Sequence, residues 1–249
     1  MDSPASSRED QEASAASPPP SGIAPRAREI VHLINAMRSR LDLIGASAAG
    51  LPDVAAEIQV CQSQLRDLEW MLWDFSQASE QLAHDARHDA LTKVWNRRAF
   101  DECLSLQLAI ANRYQTVFSV VLFDIDAFKQ INDAHGHLVG DAVLSQLAQG
   151  VQNSVRASDL FARYGGEEFA AVLPQTGLQG AVSIAERVRK SIASTPFVVV
   201  GGEVFVNVSA GVTEFEPGDT VDSILARADA ALYEAKQAGR NRTAARRGR

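Results

Sequence analysis

Apolar positions in the first third of the chain recur at helical spacing. Ile30, Ile34, Met37, Leu41 and Ile44 follow one another at intervals of 4, 3, 4 and 3 residues, which lines them up along one helical stripe. The stretch GASAAGLPD interrupts the pattern, with Gly50 a candidate C-cap and Asp53 a candidate N-cap. A second run takes Val54, Ile58, Cys61, Leu65, Leu68, Leu72, Phe75, Ser79, Leu82 and Ala86 at alternating intervals of 4 and 3, the period of a coiled coil. At ~1.5 Å per residue this second helix would be roughly 50 Å long. One helical hairpin is too small to bury a core of its own. Its stripe therefore expects a partner, most simply the same hairpin of a second copy, and otherwise a face elsewhere on its own chain.

From Asp89 onward the period alternates between strand and helix. Residues 96–114 read as a helix, and VFSVVLFDI (117–125) as a buried strand, because it is apolar and β-branched without alternation. Residues 141–155 form an amphipathic helical pattern. DLFARY and EEFAAVLP read as two short strands meeting in a tight turn at Gly165-Gly166. Residues 177–193 read as a helix. FVVV, GG and EVFVNVSAGVTEF read as a second hairpin, and 221–239 as a last helix with Gly239 just past its end. The order β-α-β-β-α-β with an added hairpin predicts an α+β fold, a ferredoxin-type or nucleotide-cyclase palm-like sheet with helices on one face, preceded by the helical hairpin. The expected organisation is a tail over 1–25, a helical hairpin over 26–88 and a mixed domain over 89–249.

Composition narrows the classes. The tail is Ser, Ala and Pro with scattered charge, which cannot offset the entropy of ordering and predicts disorder. A formal net charge of −7 argues against a nucleic-acid binder, and the basic stretch RNRTAARRGR at the end reads as a solvated, frayed terminus. No apolar run approaches the ~20 residues of a membrane span, and the first residues lack the order of a signal peptide. Cys61 and Cys103 are far apart and read as buried thiols of a reducing compartment. The expected location is the cytoplasm. His32, Cys61, His84 and His88 could be gathered on zinc by a helical bundle, although no tight ligand pair accompanies them.

The strand VVLFDID ends in Asp124 and Asp126, and Glu167-Glu168 follow the glycine turn. In a β-α-β-β sheet those two places can be adjacent, so Asp124 and a glutamate would converge. Like charges that close are costly unless a cation sits between them. A hard carboxylate and carbonyl site suits Mg²⁺, which keeps positions open for phosphate oxygens. A solvated acidic turn is the plainer alternative.

RYGGEEF resembles the signature of GGDEF domains, the diguanylate cyclases, with Glu at the third position. Other blocks extend the resemblance over about residues 89–245: DALTKVWNRRAFDE, DIDAFKQINDAHGHLVGD, AERVR, NVSAGV and ADAALYEAKQAGRN. The resemblance implies that Asp124, the Ile125 carbonyl, Glu167 and Glu168 hold Mg²⁺, with Mn²⁺ an alternative. Glu167 would accept the proton of a 3′-hydroxyl, while Lys129, Lys236 and Arg240 would neutralise phosphate charge. Lys236 and Arg240, four apart, would share a helical face. Gly165 and Gly166 would let the backbone approach the nucleotide. Asn132, His137 and Asp141 would belong to the nucleotide site, with Asn132 and Asp141 reading guanine; a helix N-cap is the alternative for Asp141. Arg156 and Asp159, with Arg187, resemble the site at which such enzymes bind their product, cyclic di-GMP. A surface ion pair between Arg156 and Asp159 is the alternative there. Lys93 and Val94 depart from the usual Gly and Leu, in a connecting turn.

The implied activity is the condensation of two GTP into cyclic di-GMP and two pyrophosphates by two copies facing each other. A homodimer through the N-terminal helices would bring them together. No membrane or nucleic-acid partner is expected, and the hairpin leaves room for a regulatory partner. The competing reading is a non-catalytic domain that senses cyclic di-GMP or GTP. A polymerase-like palm would lack a template-binding region.

Overall fold

The computed structural model describes residues 25–47, 51–152 and 154–248. The expected tail, apart from Pro25, and the Gly50 cap lie outside the described residues. The chain divides into two compact units, Met1–Ala83 and His84–Arg249.

The first unit is a helical hairpin of α1 (Pro25–Ser47) and α2 (Pro52–Asp85), the latter running two residues into the second unit. Because α2 begins at Pro52, whose fixed φ suits a first helical position, Asp53 lies in its first turn rather than capping it. Ile34, Ile58 and Leu65 are buried between the helices, and Gln62 donates to Asp42 (2.7 Å) while Arg38 pairs with Glu69. The α2 stripe therefore splits. Ile58 and Leu65 face α1, whereas Val54, Cys61, Leu68, Phe75 and Leu82, each seven residues after the last, stay exposed. Cys61 is thus not the buried thiol expected; it lines an open groove with Met37, Leu41, Ile44 and Leu68. Cys103 is partly buried.

The second unit is built on β2 (Phe118–Ile125), all eight residues of which are buried. It lies between β4 (Glu168–Pro174) and β7 (Val208–Glu214), antiparallel to both. Around them stand β1 (Trp95–Asn96), β3 (Leu160–Arg163) and β8 (Thr243–Arg246), in the order β1-β3-β4-β2-β7-β8. Val121, Phe123 and Ile125 pack with residues of α5 (His137–Gln152) and α6 (Leu178–Ser194), including Leu144 and Val188. Phe118, Val120 and Leu122 pack with residues of α3 (Arg97–Tyr114) and α7 (Val221–Gln237), including Leu104 and Ile224. Helices thus cover both faces rather than one, as an unbroken apolar strand requires, since neither of its faces can meet water.

Other differences are local. A short α4 (Phe128–His135) precedes α5, and α5 begins at His137, so Asp141 sits inside a helix and is not its cap. β5 (Phe197–Val199) pairs with β6 (Gly202–Val204) in a separate small sheet. The expected long strand is broken before β7, which joins the main sheet. Residues 243–246 are not frayed: they pair in parallel with β7, and Thr213 donates to the Arg246 carbonyl (2.8 Å). Asn96 caps α3 by accepting from the Ala99 N–H (3.0 Å).

Candidate functional site

The end of β2 and the start of β4 bring the acidic residues together. Asp124 stands opposite Glu168 in the sheet register, and the Ile125 N–H donates to the Glu167 carbonyl (3.3 Å). Asp124 is only 5% exposed. Burial pushes its carboxyl above the ordinary range and Asp126 adds to that, while Lys236 and Arg240 oppose it. Glu167 is also pushed up, first by burial and then by the charges of Asp124 and Glu168, with Lys236 acting against them. Crowded carboxylates that resist ionising together are what a positive charge between them relieves. Lys236 supplies one here, its Nζ lying 2.8 Å from Asp124 Oδ2. Among the described residues no group of three His, Cys, Asp or Glu side chains is gathered as a metal cluster. His84 instead stacks on His88 at 3.7 Å. The oxygen donors nonetheless suit a hard divalent cation, once Lys236 yields its place on Asp124.

Asp126 does a different job from Asp124. Its Oδ1 accepts from Ser209 Oγ (2.7 Å) and its Oδ2 from the Asn241 N–H (2.9 Å). This ties the turn after α7 to the strand ends. Arg240 lies in that turn, beyond the helix and at φ +56°, so it does not share a helical face with Lys236. The turn still keeps its charge close enough to Asp124 to influence the carboxyl. Lys129 is exposed in the first turn of α4.

The glycine turn is tight on one side and open on the other. Tyr164 and Gly165 N–H groups both donate to the Glu168 carbonyl (2.8 and 3.1 Å). A Cβ on Gly165 would come within 2.5 Å of Glu168 Oε2, whereas Gly166 faces open space. On the α4–α5 corner, Asn132 Oδ1 is buried with no hydrogen-bond partner among the described residues, and a Cβ on Gly140 would fall 1.9 Å from it. Gly140 thus makes room for Asn132, a role that spacing alone did not single out. His137 opens α5 and Asp141 is exposed one turn later.

Arg156 and Asp159 form a closed turn rather than a side-chain ion pair. The Arg156 N–H donates to Asp159 Oδ2 (2.9 Å), and the Asp159 N–H to the Arg156 carbonyl (3.0 Å). Among the described residues the Arg156 guanidinium has no ion pair, and it is exposed. Arg187, on α6, donates to the Ser154 carbonyl (2.8 Å), two residues before Arg156. Three donor or acceptor groups therefore share one surface.

Residues 86–242 match the family described as "Diguanylate cyclase, GGDEF domain". Diguanylate cyclase DgcM of Escherichia coli K12 is 45% identical over 170 residues, which is 67% of this chain and 40% of that protein's length. The coiled coil and GGDEF domain of DgcB from Caulobacter crescentus, in complex with c-di-GMP, is similar at a TM-score of 0.70 and 33% identity, over 75% of this chain and 99% of that one. Diguanylate cyclase SiaD from Pseudomonas aeruginosa, in complex with its activator SiaC, is similar at a TM-score of 0.62 and 32% identity, over 90% of this chain and 88% of that one. The chain thus spans less than half the length of curated relatives such as DgcM.

Proposed function

The chain belongs to the GGDEF family, and from that premise we propose that it is a diguanylate cyclase, condensing two GTP into cyclic di-GMP and two pyrophosphates. The observation that carries the reading is the register of Asp124 against Glu168, with Glu167 beside them and Lys236 on the buried carboxylate. Asp124, the Ile125 carbonyl, Glu167 and Glu168 would hold Mg²⁺. The ion would supply charge neutralisation at the triphosphate and a lowered pKa for the attacking hydroxyl.

The remaining steps fall to the chain's own groups. Glu167, beside Asp124 at the end of the glycine turn, is the carboxylate suited to take the 3′-hydroxyl proton. Lys236 moves from Asp124 to the phosphates, where it stabilises developing negative charge with Lys129 and Arg240. Asn132 and Asp141 hold guanine's edge: a carboxylate accepts from N1–H and N2–H₂ together, a donor pair that adenine lacks. His137 completes the nucleotide corner, and Gly165 and Gly166 leave the backbone bare beside it.

One such site holds one GTP, so two copies face each other and the N-terminal helices join them. Arg156, Asp159 and Arg187 bind the product, the arginines at guanine's acceptor edge or the phosphates and the aspartate at its N–H groups. The helical hairpin also receives a protein regulator, a reading supported by the likeness to SiaD, which was solved with its activator. Purified chain given GTP and Mg²⁺ should yield a product with the mass of cyclic di-GMP. Glu167→Ala should abolish the product without unfolding the chain, and Arg156→Ala should relieve inhibition by added product. A folded, dimeric wild type that forms no cyclic dinucleotide would overturn the enzyme reading.

A further inference from the structure

The segment that opens the second unit is wired to the glycine turn. Arg163, the last residue of β3, directs Nη2 and Nε at the Gly166 carbonyl (2.8 and 3.3 Å). Its Nη1 meets both carboxylate oxygens of Asp89 (3.2 and 3.3 Å). The two side chains are only 18% and 22% exposed, so water competes weakly for them.

Asp89 is itself fixed. It accepts from the Thr92 N–H (2.8 Å) and from Thr92 Oγ1 (2.7 Å), and its own N–H donates to the Val94 carbonyl (2.8 Å). Burial pushes its carboxyl up, but the Thr92 hydrogen bonds and the Arg163 charge outweigh that and hold it below the ordinary value. Asn96 closes the segment, donating from Nδ2 to the Ala86 carbonyl (3.0 Å) and from its N–H to the Arg87 carbonyl (2.8 Å) while capping α3.

Two adjacent glycines leave the turn's own conformation weakly specified. The Gly166 carbonyl belongs to the same rigid peptide plane as the Glu167 N–H. Holding that oxygen therefore fixes the plane from which the Glu167 side chain departs. We propose that Arg163 and Asp89 are positioning residues for Glu167: the guanidinium clamps the Gly166–Glu167 peptide against the segment 86–96 and so sets where the Glu167 carboxylate stands relative to Asp124. The segment that follows α2 thereby becomes part of the catalytic apparatus, and any displacement of it reaches Glu167 through two side chains.

The inference rests on the diguanylate cyclase reading for its kinetic readout, and the two fail differently: that reading fails when the wild type makes no product, this one only when the wild type is active. Full-length Arg163→Met and Asp89→Asn are compared with wild type for kcat, KM for GTP and melting temperature. A displaced Glu167 should lower kcat about 10- to 100-fold, as misplaced reacting groups do. KM should move by less than about threefold, because nucleotide contacts elsewhere persist. Arg163→Lys, which can still donate to the carbonyl, should retain more activity than Arg163→Met.

The swap Asp89→Arg with Arg163→Asp separates positioning from plain stability. It returns opposite charges to the two positions, but an arginine at 89 cannot accept from the Thr92 N–H and hydroxyl and an aspartate at 163 cannot donate to the Gly166 carbonyl, so kcat should stay low however much of the melting temperature returns. Recovery of kcat along with stability in the swap would overturn the proposal. So would an Arg163→Met enzyme whose kcat stays within about twofold of wild type, a change too small for a lost positioning contact.

Discussion

Lys93 has a φ of +61°, a left-handed conformation that a side chain resists at a cost of roughly 1–2 kcal/mol. It is held there because its N–H closes the turn onto the Asp89 carbonyl (2.9 Å), next to the carboxylate that Arg163 grips. This is the position at which the resembled family usually has glycine. The departure therefore adds strain to the segment rather than altering its route. Lys93→Gly should raise stability by about 0.5–1 kcal/mol, the relief of strain exceeding the extra unfolded-state entropy of glycine. Thermal unfolding checks it, and a lower melting temperature would show that the Lys93 side chain contributes contacts outweighing the strain. Residue identities made Asp124, Glu167 and Glu168 readable as a cluster, because a strand ending in carboxylates and a Gly-Gly turn have few ways to meet. They did not separate Asp124 from Asp126. That distinction depends on register, which sets one aspartate opposite Glu168 and leaves the other beyond the strand to bind Ser209 and the Asn241 N–H. Nor could spacing reveal that Lys236 would lie on Asp124.

At the scale of elements, the readable ones were those whose burial is uniform. β2 announces itself because it is apolar throughout, and α3, α6 and α7 because their apolar stripes keep helical period. α4 escapes a periodic reading because Phe128 is its one buried residue, too few to set a period. β8 was missed because TAAR has no apolar pattern: it is ordered by the backbone groups of β7, not by its own side chains. The turn before it is held from α6. Arg189 donates to Asn241 Oδ1 (2.7 Å) and pairs with Glu186 (2.9 Å). Those contacts, chiefly the Arg189 hydrogen bonds, pull the Glu186 carboxyl down to about 2. A depressed carboxylate stabilises the fold above its unfolded pKa and loses that contribution as pH falls through its folded one. Glu186→Gln should therefore cost about 1 kcal/mol near neutral pH, once solvent screening of this partly exposed pair is allowed for. The gap from wild type should stay level above about pH 4.5 and close as pH falls towards about 2. Denaturant midpoints measured between those limits test it; a gap that stays constant down to about pH 3 would mean that the pair does not carry the contribution.

On the scale of the whole molecule, the hairpin leaves a row of large apolar side chains exposed. Met37 and Ile44 on α1, and Leu68, Phe75 and Leu82 on α2, are each more than 40% exposed. They border or continue a groove centred on Met37, Ile44, Cys61 and Leu68. Contiguous patches of this kind mark a surface that is covered in use. The seven-residue repeat of Val54, Cys61, Leu68, Phe75 and Leu82 is the spacing with which one helix seats against another. Within the hairpin the apolar contact is limited to buried Ile34, Ile58 and Leu65, flanked by the polar pairs Arg38 with Glu69 and Asp42 with Gln62. A second hairpin laid on the groove would cover that row and bring the second nucleotide that the proposed reaction needs. Leu68→Asp with Phe75→Asp places two charges on that row, where desolvation would cost several kcal/mol in a dimer and almost nothing in a monomer. Light scattering should show half the wild-type mass at micromolar concentration. Cyclic dinucleotide formation per chain should fall steeply and recover on raising the protein concentration. If the row packs instead on its own chain, the variant would keep the wild-type mass and lose melting temperature, and the dimer assignment would be wrong.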